Sequence, residues 1–309
     1  MKSAVLTGGT GMLGLALVRL LVKKNIKVLI LVRPGSGRKS RIPDHSLVNV
    51  LECDLNNLDS LTGIDEKYDA FFHFGWEGTY GDTRNDMYLQ NRNVKNTIDA
   101  VHLAHKLGCT VFVGAGSQAE YGRVADGVKI APELPTFPEN GYGISKLCAG
   151  QMSRIECKKL NIKHVWTRIL STYGPYDGMQ TMVMSGIVKM LSGQRPQYTK
   201  GEQMWDYLYC DDAANAFYLA AEKGKDQSIY CIGSGNVRPL RDYITTIRDT
   251  VNPGGEIGFG EVPYFDKQVM YLCADITSLT EDTGFIPQVS FEDGIQYTVD
   301  WYKKEVLNK

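Results

Sequence analysis

Two short stretches carry side chains that could do acid–base chemistry. "GSQAEYG" (116–122) places Ser117, Gln118, Glu120 and Tyr121 behind an apolar run, "VFVGA". "YGISK" (142–146) places Tyr142 and Lys146 four residues apart, on one face of a helix. A phenol is a poor acid–base group at its ordinary pKa of about 10. A neighbouring ammonium favours the phenolate and is expected to pull that pKa toward neutrality. Lys146 is also long enough to reach the ribose hydroxyls of a nucleotide. Alone, Tyr-x-x-x-Lys is a common surface pattern, so its surroundings decide its meaning.

The first surrounding feature is "TGGTGMLG" (7–14). Gly8, Gly11 and Gly14 fit G-x-x-G-x-x-G; Gly9, Gly11 and Gly14 fit G-x-G-x-x-G. Spacing alone does not choose between them. Either one allows a tight turn and lets a pyrophosphate approach a helix N-terminus. Gly8, Thr10, Gly11, Met12, Leu13 and Gly14 are the candidate contacts. The second is "LILVRPGSGRKSR" (29–41), with no carboxylate before Asp44. An NAD site usually has one here for the adenosine ribose. Val32 takes that position and Arg33 follows. A guanidinium suits the 2′-phosphate of NADP, so NADP is expected in preference to NAD. Arg38, Lys39 and Arg41 read individually as a solvated basic loop.

These groups need a scaffold. "SAVLTG", "KVLILV", "YDAFFHFG", "TVFVGAG" and "KHVWTRIL" read as strands. "MLGLALVRLLVKKN", "RNDMYLQNRNVKNTIDAVHLAHKLG" and "GYGISKLCAGQMSRIECKKLN" read as helices between them. Alternation of this kind predicts an α/β fold with a doubly wound parallel sheet. Continuous apolar runs fit strands covered on both faces. "CDDAANAFYLAAEKG" and "SIYCIGSG" add one more helix–strand unit. The expected division is a dinucleotide-binding domain of residues 1–172 plus 209–235. Residues 173–208 plus 236–309 form a smaller C-terminal lobe over the carboxyl ends of the strands.

The totals exclude other classes. The chain has 309 residues and a net charge of −1, which argues against a general nucleic-acid or anionic-membrane binder. No stretch approaches the ~20 apolar residues of a membrane span, and "MKSAVLTGGTG" lacks a signal-peptide core. The seven cysteines include no Cys-x-x-Cys pair, as in a reduced cytoplasmic protein. His102 and His105 lie three apart without a nearby third ligand, so no metal site is expected.

Together the motifs resemble the extended short-chain dehydrogenase/reductase family, in its nucleotide-sugar epimerase, dehydratase and reductase branch. The resemblance runs through "TGGTGMLG", "CDL" (53–55), "HFGWEG" (73–78), "NV" (93–94), "GSQAEYG", "YGISK", "TRILSTYGP" (167–175) and "WDYLYCDDAA" (205–214). It implies a Rossmann sheet and a catalytic set of Ser117, Tyr142 and Lys146, with Glu120 and Tyr121 structural. It implies that Asp54 and Leu55 meet the adenine and that Phe74, Gly75 and Trp76 lie along the cofactor. Leu170 falls at the nicotinamide end, beside Ser171 at the substrate. Asn93 is implied as a buried structural amide and Arg168 as a residue that pins the fold. Trp76, Ser117, Gln118, Tyr142, Ser171, Arg195 and Trp205 are the candidate substrate contacts.

Two departures shape the expected reaction. Family dehydratases carry Asp-Glu where this chain has Gln118 and Ala119, so expulsion of a sugar hydroxyl is disfavoured. The usual phosphate-binding arginine is Trp205, and Arg195, Arg238 and Lys267 are candidate replacements. The expected activity is NADPH-dependent reduction of a keto group, C4 of a 4-keto-6-deoxy nucleotide sugar. The alternatives are a 4-epimerase with retained cofactor, a reductase of another small carbonyl compound, and a non-catalytic NADP-sensing regulator. Helices over 85–107 and 142–160 are expected to pair in a homodimer.

Overall fold

The structure is a computed structural model that describes residues 1–266 and 268–307. Lys267 lies outside the described residues. The first six strands are β1 (Ser3–Thr7), β2 (Lys27–Val32), β3 (Val48–Glu52), β4 (Ala70–His73), β5 (Val111–Ser117) and β6 (Lys163–Ile169). Three short strands follow, β7 (Ser171–Tyr173), β8 (Gln197–Tyr198) and β9 (Met204–Trp205). Then come β10 (Tyr207–Tyr209), β11 (Ser228–Ile232), β12 (Arg238–Pro239), β13 (Gly258–Phe259) and β14 (Tyr271–Leu272). The helices are α1 (Met12–Lys23), α2 (Met87–Lys106), α3 (Gly141–Lys159), α4 (Met182–Leu191), α5 (Cys210–Lys223), α6 (Leu240–Val251), α7 (Thr277–Thr283) and α8 (Phe291–Tyr302).

Seven strands form one sheet in the order β11-β6-β5-β4-β1-β2-β3, every pair parallel. The apolar runs are buried on both faces because successive residues feed different cores. Ala4, Leu6, Val28 and Ile30 pack with α1 and α5, while Val5, Leu29, Leu31 and Phe71 pack with α2 and α3. Strand order reverses between β1 and β4. That switch point is where such sheets open a crevice for ligands.

The smaller strands pair apart from the main sheet. β7 lies beside β10, β9 between β12 and β14, and β8 beside β13. The core on the α1 and α5 side continues without a break into α4, α6 and α8, through Val183, Ile187, Tyr243, Phe291 and Val299.

Two local features differ from the sequence reading. The strand β3, "VNVLE", is absent from that reading because it is the sheet edge, with Asn49, Val50 and Glu52 exposed. The helix read from Arg84 begins only at Met87. Asp86 caps it, accepting from the amides of Tyr88 and Leu89 at 3.1 and 3.0 Å, and residues 81–85 form a 3₁₀ turn. No described helix is long and apolar enough to cross a membrane.

Candidate active site

The glycine loop joins β1 to α1 at the switch point, and its backbone chooses between the two spacings. Gly8 has φ +73°, and a Cβ there would lie 2.6 Å from the Phe74 carbonyl carbon. A Cβ on Gly14 would lie 2.3 Å from the Gly8 oxygen. Gly8, Gly11 and Gly14 are thus the set that shapes the turn. Gly9 is short of room for a different reason, close packing on the Ile30 side chain. At Gly11 a Cβ would meet nothing closer than 3.6 Å, so that position faces open space. Gly11 is also the N-cap of α1; it has no capping side chain, and no acid follows in the first turn. The loop therefore offers bare amides around Thr10, Met12 and Leu13 and a cradle that side chains would fill, and both features fit a pyrophosphate.

The neighbouring candidates line the same crevice. The Gly75 amide donates to Thr7 Oγ1 at 3.1 Å, and Leu55 packs against Gly75. The Asp54 carboxylate caps its own turn, accepting from the Asn56 amide at 2.9 Å. Arg33 is exposed at the end of β2 and makes no ion pair among the described residues, whereas Lys39 pairs with Glu52 at 2.9 Å. Arg41 lies over the Tyr176 ring, 5.3 Å from its centroid.

Ser117 ends β5 and caps the 3₁₀ turn 118–120, accepting from the Ala119 amide at 3.2 Å. Helix α3 starts against that turn. Asn140 caps it through the Gly143 amide at 2.9 Å, and a Cβ on Gly143 would strike the Ala119 oxygen. This close approach brings Tyr142 beside Ser117, whose hydroxyl favours the phenolate. Lys146, one turn on, is buried; its Nζ donates to the Ala115 carbonyl at 2.6 Å and sits 3.7 Å over the Trp76 ring. Trp76 meets Tyr142 edge-on at 6.1 Å.

Burial is the largest electrostatic effect on both Tyr142 and Lys146. Burial pushes the Tyr142 phenol above its usual value; the Ser117 hydrogen bond and the Arg84 charge oppose it, while Glu120 and Tyr80 add to it. Burial also brings Lys146 down to about 7, against the raising effect of Glu120. Lys146 lies 5.7 Å from the Tyr142 ring centre and is engaged with Ala115 and Trp76.

Glu120 is wholly buried. Its carboxylate accepts from the Ser117 amide and Trp166 Nε1, both at 2.9 Å, and pairs with Arg168 Nε at 2.7 Å. These three contacts engage both carboxylate oxygens inside the fold. It points inward because residues 118–120 turn, not because an extended strand alternates. Tyr121 is buried beneath the Arg168 guanidinium.

Among the residues expected to meet substrate, Trp205 Nε1 donates to Ser171 Oγ at 2.8 Å. Leu170 is buried next to them, its amide bonded to the Ile232 carbonyl. Gln118 is half-buried on its turn. Arg195 is not brought to this group: Glu261 holds its guanidinium bidentately and Glu256 lies 3.5 Å away. Arg238 is paired with Glu292 at 2.7 Å and stacked on Tyr243.

The sequence reading missed two residues. Gln90 is buried and accepts from Trp76 Nε1 at 2.9 Å while donating to the Gly78 and Thr83 carbonyls. It lies three residues before Asn93, which clamps both backbone groups of Glu77, so helix spacing was an available signal. The other is Arg84, over the Tyr142 ring with its guanidinium carbon 4.4 Å from the centroid. No spacing signal points to it.

Comparison with known proteins agrees with this geometry. The model of the NAD dependent epimerase/dehydratase family matches residues 4–233. The chain belongs to that family. It is 25% identical to the dTDP-glucose 4,6-dehydratase of Salmonella typhimurium, over 96% of this chain and 92% of that one. Its fold matches the UDP-glucose 4-epimerase of Thermotoga maritima, solved with UDP-glucose, with TM-score 0.86 at 21% identity over 98% and 99% of the two chains. It also matches RMD of Pseudomonas aeruginosa, solved with NADPH, with TM-score 0.83 at 20% identity over 99% and 100%. The protein is therefore an enzyme of the extended short-chain dehydrogenase/reductase type, with a Rossmann sheet.

Proposed function

We propose that this enzyme reduces a keto group with NADPH, at C4 of a 4-keto-6-deoxy nucleotide sugar. The observation that carries the reading is the Ser117–Tyr142 hydroxyl pair with no ionisable side chain at Gln118 or Ala119. Bound in the Gly8–Gly14 cradle, the dinucleotide supplies the hydride. Ser117 and Tyr142 hold the carbonyl oxygen, and Tyr142 gives it the proton. Lys146 and Trp76 line the path between the cradle and the hydroxyls. The unpaired Arg33 supports NADP over NAD. Residues 173–208 and 236–309 are read as the lobe that covers the sugar nucleotide, with Ser171 and Trp205 facing it as one hydrogen-bonded unit.

The test is incubation with 4-keto-6-deoxy sugar nucleotides while NADPH absorbance is followed. Loss of absorbance matched by a new 4-hydroxy sugar is the expected result. Interconversion of UDP-hexoses with no added cofactor would replace this reading with a 4-epimerase. Arg33→Ala should erase a preference for NADPH over NADH of about 1–3 kcal/mol; calorimetry showing equal native affinities would remove NADP from the proposal.

A further inference from the structure

Arg84 belongs to none of the sequence motifs, yet its place is closely set. The 3₁₀ turn 81–85 that carries it is fastened at both ends. Arg84 Nη1 donates to the Thr79 carbonyl at 3.2 Å, and Gln90 Nε2 holds the Thr83 carbonyl at 2.9 Å. Asn85 Oδ1 accepts from the Gly141 amide at 3.0 Å, which ties the turn to the first residue of α3. Gly141 is itself pressed onto the Arg84 backbone, since a Cβ there would lie 3.0 Å from the Arg84 oxygen. The next residue is Tyr142, and the guanidinium lies over its ring.

Of the groups that face Tyr142, two are cations, Arg84 and Lys146. Ser117 offers a neutral hydroxyl from the end of β5, and Tyr80 a neutral phenol from the Arg84 segment. Glu120 carries a negative charge, neutralised locally by Arg168. Lys146, on α3 itself, spends its Nζ on the Ala115 carbonyl and the Trp76 face. Arg84 is the nearer cation on the ring, its guanidinium carbon 4.4 Å from the centroid against 5.7 Å for Lys146 Nζ.

We propose that Arg84 is the positioning residue for Tyr142: its guanidinium fixes the ring and supplies the positive charge that favours the phenolate left after proton transfer. The inference rests on the reading of Tyr142 as proton donor. A planar cation on an aromatic face is favourable in itself. A cation so close also lowers the cost of forming the phenolate. Burial pushes the phenol up, and the Arg84 charge is one of the two effects that oppose it.

The test compares the native enzyme with Arg84→Met, Arg84→Lys and Tyr142→Phe. The Tyr142 ionisation is followed by NMR of ring-¹³C-labelled tyrosine, with Tyr142→Phe assigning the signal. This readout needs no substrate. Arg84→Met should raise the midpoint by about one pH unit or more, with Arg84→Lys between the two. In NADPH turnover the high-pH limb should move the same way, with kcat lowered and NADPH affinity retained. An unmoved midpoint overturns the proposal. Native turnover in Tyr142→Phe would instead overturn the proton-donor reading. An inactive Tyr142→Phe with an unmoved limb in Arg84→Met defeats Arg84 alone.

Discussion

Ser117 and Glu120 stand three residues apart and have opposite fates. The serine hydroxyl faces Tyr142, while the carboxylate is consumed by Trp166, Arg168 and the Ser117 amide. Sequence spacing pairs Tyr142 with Lys146 because residues four apart on a helix share a face, whereas Ser117 comes only from the family resemblance. It could not find Arg84, because contact across two segments depends on how the 81–85 turn docks on α3. Nor does spacing show the environment of Lys146, which is set by burial. That burial has a measurable consequence. Lys146 titrates near 7 in the folded chain, against an ordinary 10.5. Between those values the unfolded chain carries a proton that the folded chain has released. By linkage, stability due to this group rises with pH across that window. Buried thiols such as Cys109, Cys157 and Cys231 are pushed up to about 12 and tilt stability the other way. The difference between native protein and Lys146→Met isolates the lysine. From pH 7 to pH 9 the native protein should gain about 2 kcal/mol on the variant in urea unfolding. Parallel pH profiles for the two proteins would show that Lys146 is protonated throughout.

At the scale of elements, both-face burial made the central strands legible and partial exposure hid the edge. β2 reads as "KVLILV" because both of its faces are covered. β3 has neither run nor clean alternation, because one edge and much of both faces meet solvent. The strand-to-helix turn after β1 was legible as glycines, but only the backbone shows what each glycine is for. Gly14 makes room for the Gly8 carbonyl, whereas nothing described in the protein crowds a Cβ at Gly11. Alanine separates these roles. Gly14→Ala should destabilise the fold by about 2–4 kcal/mol, as overpacking against a fixed carbonyl does. Gly11→Ala should cost under about 1 kcal/mol, the size of a cap effect, yet abolish NADPH binding. Thermal unfolding with and without NADPH measures both. A Gly11→Ala protein that NADPH still stabilises as it does the native one would place the dinucleotide elsewhere.

At the scale of the molecule, the doubly wound sheet followed from simple alternation of strands and helices. The C-terminal elements were less legible, because β8, β9, β12, β13 and β14 are two-residue strands whose partners lie far away in sequence. Helices α2 and α3 pack against each other and leave an uneven outer surface. On α3, Ile144, Met152 and Ile155 are about half exposed and Cys148 lies exposed among them, forming one stripe at helical spacing. Tyr88, at the start of α2, is 86% exposed. Such a stripe costs free energy in water, since each apolar side chain contributes on the order of 1 kcal/mol when covered. A second copy related by a two-fold axis would lay the same stripe on itself and cover it from both sides. We therefore expect a homodimer with α2 and α3 at its centre, as the family resemblance implies. Sedimentation should give about twice the 34.4 kDa chain mass. Ile144→Asp with Ile155→Asp places two like charges per chain in the seam, and the mass should fall to that of one chain while the circular dichroism of the fold persists. A native protein that sediments as a monomer, or a dimer that survives both substitutions, would move the interface away from this stripe.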